Sequence, residues 1–362
     1  MDESMDKEAL KGEPQPWEFR SKPSWQRFLV MFGGVFFNFI LAIIIYSASL
    51  FTWGESYLKN SDAIYGVNCS QLAREMGFQN GDKILYLDGE AIDGFNDIQM
   101  TMIRNQVKQV TVLRGEENVI IDISPEYIPD LLNSLLFEPR IPYSVVEVPD
   151  TSANSGVLLP RDRLIAIDSQ KVSIAQDVPP ILANNKGKSI SATMLRNEAM
   201  LDVVLVVDTI GKLGIIIDAD YSKFLNMTIH SYSLLAAIPA GFNKTTSRIS
   251  NYLKELKLIF SPKTEAYKSV GSFITIGRIF PSTWDWEIFW NITALLSIML
   301  AVLNLLPIPA LDGGHILFLI IEMVTGRKPG DKFMEYATIT GMLILFAIMI
   351  LALGNDIFKL YR

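Results

Sequence analysis

The sequence predicts a multi-pass α-helical membrane protein in which two mixed β/α domains are inserted between the first and second spans. Hydrophobic residues make up 49% of the 362 residues and charged residues only 20%, which gives a mean hydropathy of +0.26. Three long runs carry no charged side chain, and the segment between the first two alternates short β-type runs with turn residues. This composition is too apolar for a soluble enzyme and excludes intrinsic disorder over most of the chain.

The three uncharged runs cover residues 28–53, 289–311 and 336–354. Crossing a bilayer takes about 20 apolar residues, so each run is predicted to be a transmembrane segment. The alternative for each is a helix buried in a protein core. A cleavable signal peptide does not fit the first run, because its apolar region is too long and residues 1–13 are acidic.

Lysine and arginine in the short loops predict the orientation of the spans. The cytoplasmic side is expected to hold segment 1–27 and the loop 312–335, and residues 54–288 then lie outside, in the periplasm of a Gram-negative cell. The protein is accordingly expected in the bacterial inner membrane. The basic residues on the predicted inner side are Arg20, Lys22, Arg27, Arg327, Lys328 and Lys332, against Lys59, Lys359 and Arg362 on the other.

The outer segment contains a repeat with a period of about 80 residues, which is typical of tandem domains. GDKILYLDGEAI at 81–92 aligns with RDRLIAIDSQKV at 161–172, and each has the pattern of a strand, a turn and a strand. The copies are placed at 62–140 and 141–221. A chance likeness of two hairpins is the alternative.

The pattern G-D-x-I-L-x-L-D-G in the first copy resembles PDZ domains, so the inserts are identified as periplasmic PDZ-like domains. Such domains bind extended peptides by adding a strand to a sheet edge. A structural spacer with the same fold is the alternative. The second copy departs from the pattern, with Ser169 where the first has Gly89.

Residues 230–259 follow the second copy and combine apolar residues with four basic ones. The uninterrupted apolar part is too short to span a bilayer. We expect an amphipathic membrane-surface helix that leads into the second span. A plain surface helix of the outer domain is the alternative.

Charge and rare residues exclude several function classes. A net charge of −7 and a pI of about 5.1 give no global field that attracts phosphate, so no nucleic-acid partner is expected. One cysteine, Cys69, excludes an intramolecular disulfide framework and a cysteine-based zinc cluster. The only histidines are His230 and His315.

The run NLLPIPALDGGH at 304–315 is the most specific feature of the sequence. Pro307 and Pro309 cannot continue a regular helix and therefore break the second span. Asp312 follows them, and two glycines after it allow close backbone approach. A carboxylate at a broken helix in a membrane is costly and indicates a functional site. The alternative is that Asp312 caps the next helix.

This run, N-x-x-P-x-P-x-L-D-G, is similar to the second signature of the site-2 proteases, which are intramembrane zinc metalloproteases. Two PDZ-like copies between two spans and the segment 17–39 are similar to the regulator-of-sigma-E protease (RseP) branch. The resemblance implies Zn²⁺, with Asp312 as its third protein ligand. It implies that Asn304, Pro307 and Pro309 shape a loop that holds the substrate in extended form, and it aligns Asn38 with a family asparagine. It gives His315 no ligand role, and His230 belongs to the outer segment.

The family's H-E-x-x-H motif supplies two zinc ligands and a glutamate, and this sequence does not contain it. Two explanations are open: the sequence begins downstream of that motif, or the protein is a non-catalytic relative. In either case the chain is expected not to hydrolyse peptide bonds by itself.

The resemblance implies a single-span membrane substrate, such as an anti-sigma factor or a remnant signal peptide, within the lipid bilayer. A non-enzymatic scaffold that binds peptides through its PDZ-like pair is the main alternative. A transporter built around Asp312 is a second one, although the membrane segments show no internal repeat.

Overall fold

The computed structural model describes residues 15–360, which form two compact units. The helical unit contains the chain up to Glu55 and again from His230, and the β unit contains Ser56–Ile229. The helices are α1 Ser24–Thr52, α2 Gln71–Glu75, α3 Ile98–Asn105, α4 Ile128–Leu131, α5 Val178–Asn184, α6 Leu234–Ile259, α7 Phe273–Ile279, α8 Trp286–Leu305, α9 Asp312–Thr325 and α10 Asp331–Leu360. The strands are β1 Glu55–Leu58, β2 Val67–Cys69, β3 Lys83–Leu87, β4 Glu90–Ala91, β5 Gln109–Arg114, β6 Glu117–Asp122, β7 Phe137–Pro139, β8 Val145–Glu147, β9 Arg163–Ile167, β10 Gln170–Lys171, β11 Ser189–Arg196, β12 Ala199–Val206, β13 Ile216–Ile217 and β14 Met227–His230.

Between residues 15 and 360, three helices are long and apolar enough to cross a membrane: Ser24–Thr52, Trp286–Leu305 and Lys332–Phe358. They contain most of the three apolar runs in the sequence. The helix in the second run stops at Leu305, although the apolar run continues to Leu311. The reason is steric, since a residue before proline is driven out of the helical conformation, and Leu306 has an extended ψ of 141°.

In the helical unit, α1 runs antiparallel to α8. The Asn291 side chain donates to Ser49 Oγ at 3.4 Å, and further along, Ser297 Oγ donates to the Asn38 carbonyl at 2.9 Å. Polar side chains thus bond to each other or to the backbone within an otherwise apolar interface between the two helices. The buried core between the two helices consists of Ala42, Ile45, Tyr46, Ala294, Ile298 and Val302, with Ile249, Tyr252 and Leu256 of α6 packed against it.

The helix α6 belongs to the helical unit and not to the β unit. It presents small residues to α1: Ala237, Gly241 and Thr245 are all buried and one turn apart. A β-carbon at Gly241 would lie 2.7 Å from the Ser47 backbone nitrogen. The two backbones therefore approach as closely as in helix pairs that use small residues at every fourth position.

The β unit contains two sheets with the same strand arrangement, β4-β3-β5-β6 and β10-β9-β11-β12, all antiparallel. Each copy places a short helix, α3 or α5, before its third strand, and each adds a two-stranded ladder, β2-β7 or β8-β13. The repeat inferred from the two hairpins therefore extends to the four-stranded sheet, one short helix and the two-stranded ladder of each copy, and both sheets fit PDZ-like domains.

A buried aspartate occupies the same place in both copies. Asp82 is fully buried, accepts the Gln79 amide, and receives two hydrogen bonds from the Arg114 guanidinium, each at 2.8 Å. In the second copy, Asp162 accepts the Leu159 amide and two bonds from Arg196 at 2.7 and 2.6 Å. The sequence repeat aligned the aspartates, but their arginine partners became evident only from the structure.

The turn between the paired strands differs between the copies. Gly89 has a φ of +85°, and Ser169 has a φ of +67° at the equivalent position. A left-handed backbone costs a residue with a β-carbon about 1–2 kcal/mol more than glycine. The second copy therefore keeps the PDZ-like turn at the cost of local strain.

The reactivity of the Cys69 thiol tests how tightly the first PDZ-like copy is packed. Its side chain is buried, with only 1% of its surface exposed, and burial raises the pKa of the thiol to about 11, with a smaller contribution from the nearby Asp82 carboxylate. At pH 8 only about one thiol in a thousand is then ionised. We expect Ellman's reagent to leave the native protein unmodified at pH 8 and to titrate one thiol after unfolding in guanidinium. Rapid labelling of the native protein would contradict this packing.

Candidate functional site

The candidate site is the loop 306–311, which separates α8 from α9. Within it, the Ile308 amide donates to the Leu306 carbonyl at 2.7 Å and the Leu311 amide to the Ile308 carbonyl at 3.0 Å. Ala310 has a φ of +100°, a conformation that residues with a β-carbon rarely adopt. Such strain persists only where the surroundings hold the backbone in place, and it is common at functional sites.

Three glycines, two in α9 and one in α10, allow these helices to approach the loop backbone closely. β-Carbons at Gly313 and Gly314 would lie 2.2 Å from the Leu306 carbonyl oxygen and 2.6 Å from the Ile308 carbonyl oxygen. At Gly341, in the middle of α10, a β-carbon would lie 1.3 Å from the Pro309 carbonyl oxygen. Close approach at the first two was expected from the sequence, whereas nothing in the sequence marked the third.

Asp312 is the first residue of α9 and not its cap. The capping position is Leu311, and no side chain caps the helix there. The alternative that Asp312 caps the next helix by its side chain is therefore not what the structure has. A carboxylate in the first turn is still favoured by the partial positive charge of the helix N-terminus. Asp312 is half-buried, and Gly313 beside it is buried.

The predicted substrate-holding residues Asn304, Pro307 and Pro309 lie together around the end of α8. Asn304 is in the last turn of the helix, and its carbonyl oxygen lies 2.7 Å from the β-carbon position of Gly313. Pro307 is exposed, and Pro309 is half-buried beneath Gly341 of α10. Asn304, the prolines and the glycines therefore form one compact feature.

Asn38 lies elsewhere on the same interface. Its carbonyl bonds to Ser297, which is seven residues before Asn304 on α8. At 1.5 Å per residue, this places Asn38 about 10 Å along the helix axis from Asn304. The structure therefore puts Asn38 beside α8 but about two turns away from the loop.

His315 lies one turn after Asp312 on α9 and lines a small cavity of about 70 Å³. Arg27 and Glu322 also line that cavity and form an ion pair at 2.5 Å, with side chains 13% and 18% exposed. This pair ties the start of α1 to α9, and sequence reasoning did not find it, because 295 residues separate the partners. His315 thus stands beside an ion pair that joins two helices.

The two histidines lie at opposite ends of α1. His315 is placed by its neighbour Ile316 of α9, which packs against Val35 in the N-terminal half of α1. His230 is placed by its carbonyl group, which lies against Gly54, just beyond the C-terminal end of α1. Seventeen helical residues from Val35 to Thr52 rise about 25 Å. His230 is therefore out of reach of any ion that Asp312 holds.

The described side chains do not make up a zinc site. Between residues 15 and 360, no group of three or more histidine, cysteine, aspartate or glutamate side chains is placed to hold a metal ion. A catalytic zinc needs three protein ligands, and Asp312 is a single carboxylate with His315 as its nearest histidine in the chain. Zinc therefore does not fit the donors of this sequence taken alone.

Known proteins resemble the chain over nearly its whole length. The model of peptidase family M50 matches residues 1–348. A candidate zinc metalloprotease of Neisseria meningitidis is 26% identical, with 95% of this chain and 82% of that protein covered. The regulator of sigma E protease of Haemophilus influenzae is 25% identical, with 98% of this chain and 83% of that protein covered.

Among solved structures, the PDZ domain of an SdrC-like protein of Listeria monocytogenes matches 22% of this chain and 90% of its own, at 16% identity and a TM-score of 0.21. The family model covers both the helical and the β unit, including the loop 306–311 and Asp312. This chain belongs to peptidase family M50, the site-2 protease family, and the names of its relatives indicate a zinc metalloprotease.

Proposed function

We propose that the chain is the substrate-holding part of an intramembrane zinc metalloprotease that cleaves single-span membrane proteins. The observation that carries this proposal is the strained loop 306–311, held by three glycines at the end of an apolar helix. Membership of the M50 family supplies the reaction class.

The loop suits a protease whose substrate arrives as a helix. Helical peptide groups are bonded within their own segment, so an attacking water reaches them only after unwinding. Leu306 and Leu311 at the two ends of the loop have extended backbones. Pro307 and Pro309 cannot donate hydrogen bonds, which prevents the loop from closing into a helix itself. An unwound substrate strand could align with this edge, with Asn304 as a side-chain partner for its backbone.

Asp312 is proposed as one zinc ligand, in agreement with the names of the relatives. The two histidines and the glutamate of H-E-x-x-H are not in this sequence and would have to come from outside these 362 residues. Bound zinc would polarise the scissile carbonyl and activate water. The residues present here would orient the substrate and contribute a carboxylate.

The PDZ-like pair is proposed to lie in the periplasm and to act on the outer part of the substrate. Basic residues flank the predicted cytoplasmic ends of the spans, which supports that orientation in the bacterial inner membrane. A relative named as a regulator of sigma E protease makes an anti-sigma factor the first substrate to test, with a remnant signal peptide as the second.

Cleavage of a single-span reporter separates the protease from a scaffold. We expect the protein purified from its own membranes to cleave the reporter and to stop on addition of a zinc chelator. The 362-residue chain expressed alone should bind the reporter without cutting it, because it lacks the general base. Chelator-sensitive cleavage by the chain alone, or none by the native protein, would overturn the proposal. The second result would favour a scaffold that binds peptides through its PDZ-like pair.

A further inference from the structure

A second site lies in the helical unit, beside the end of α1 that is remote from Asp312. A cavity of about 480 Å³ is lined by Leu50 in the last turn of α1, by Glu55 three residues after that helix, and by Tyr232, Pro239, Asn243 and Lys244 in and before α6. This volume is in the range of small-molecule pockets. From the residues that line the cavity, we propose that it binds the phosphoethanolamine head group of a phospholipid.

The charged groups of the cavity form a neutral pair. Lys244 Nζ donates to Glu55 Oε1 at 2.9 Å, and the two side chains are 22% and 39% exposed. The ammonium also lies 5.6 Å from the centroid of the Tyr46 ring, which holds it in place. That contact with Glu55 uses one of three ammonium hydrogens and one carboxylate oxygen, so both groups keep capacity for a ligand.

Charge complementarity selects a zwitterion. Lys244 can donate to a phosphate oxygen, and Glu55 can accept from a primary ammonium on the same head group. A purely anionic head group would meet the Glu55 carboxylate as a like charge. A choline head group has no N–H to donate to that carboxylate, so ethanolamine is the better match.

The surroundings of the cavity favour a lipid over a soluble ligand. The cavity opens at the end of the apolar helix Ser24–Thr52, where the head groups of a bilayer would lie if the helix spans it. Trp53, which is 42% exposed, follows that helix directly, and tryptophan is enriched at this depth. Large apolar side chains of α6 stand exposed next to the cavity and would contact acyl chains: Leu234, Leu235, Ile238 and Phe242.

Pro239 explains why an opening exists here. It lies inside α6, where it removes one helical hydrogen bond, and its ring forms part of the cavity wall. Two residues after Pro239, Gly241 packs tightly against Ser47 of α1. The contact between Gly241 and Ser47 holds α6 against α1, and the cavity lies beside that contact, next to Pro239.

Native mass spectrometry of the 362-residue chain, titrated with single phospholipids, tests the proposal. We expect one phosphatidylethanolamine to bind about tenfold more tightly than phosphatidylcholine or phosphatidylglycerol. Lys244→Met should weaken phosphatidylethanolamine binding about tenfold, and Glu55→Gln should abolish the preference over phosphatidylcholine. Lys257→Met, an exposed change on the same helix, should alter neither.

Three results would overturn the site: equal binding of the three lipids, a preference for phosphatidylglycerol, or unchanged selectivity in both cavity variants. Soluble glycerophosphoethanolamine carries the same head group without acyl chains, so we expect it to bind more weakly than the lipid, and equally tight binding would overturn the assignment to a phospholipid. Melting temperatures of the variants show whether each remains folded, and a variant that does not is replaced by Lys244→Arg or Glu55→Asp. Cleavage of the reporter does not enter this test, so its outcome is independent of the protease proposal.

Discussion

Replacing Gly341 with alanine is expected to cost the helical unit about 3 kcal/mol, at the upper end of the range for overpacking. The new β-carbon would lie 1.3 Å from the Pro309 carbonyl oxygen, and a backbone atom cannot rotate away as a side chain can. Either α10 shifts or the loop 306–311 gives up its strained form. The measurement is thermal unfolding in detergent micelles, together with the rate of proteolysis within the loop.

The matched control lies on the same helix. A β-carbon at Gly354 would meet nothing within 4 Å, so Gly354→Ala should leave unfolding unchanged or raise its midpoint through helix propensity. Equal behaviour of the two variants would contradict the contact between α10 and the loop. A loss for Gly341→Ala alone would identify α10 as the support of the loop.

Arg114→Met is expected to destabilise the first PDZ-like copy by about 3–5 kcal/mol, because it leaves the Asp82 carboxylate buried without its partner. Arg196→Met should do the same in the second copy, where Asp162 is equally buried. The measurement is urea unfolding of the full chain, with hydrogen exchange used to assign the loss to one copy.

Two further variants separate this effect from a general loss of charge. Lys223→Met removes an ion pair between an exposed lysine and Asp218 and should change the unfolding midpoint little. Asp82→Asn combined with Arg114→Met removes the unpaired charge, and we expect it to recover part of the lost stability. If Arg114→Met behaved like Lys223→Met, the buried pair would not support the fold.

The sequence was sufficient to predict features that depend on local chemistry. The helix α8 ends at Leu305 because Pro307 drives the preceding Leu306 out of the helical conformation. The alternation of hydrophobic residues around Asp82 and Asp162 identified the repeat, because both aspartates sit in the same short hairpin motif. Ser169 departs from the motif, which has glycine at this place in the first copy, and the structure keeps the same turn with a positive φ at Ser169.

Features that depend on distant contacts could not be predicted. Gly341 of α10 contacts Pro309, and the whole of α9 separates the two residues in the sequence. No sequence pattern distinguishes a glycine with such a contact from any other glycine in an apolar helix. Arg114 lies 32 residues from Asp82, so its role appears only when β3 and β5 pair. Asn38 and Asn304 share an interface, but only the register of α1 against α8 places them two turns apart.

The most direct test of the account is the zinc content of the native protein with Asp312 replaced. The protein would be purified from its own membranes as wild type, Asp312→Asn and Glu335→Gln, the last an exposed control on α10, and zinc measured by inductively coupled plasma mass spectrometry alongside reporter cleavage. We expect one zinc per wild-type and control chain, with zinc and cleavage both lost in Asp312→Asn. Full zinc and full cleavage in Asp312→Asn, or no zinc in the wild type, would contradict it.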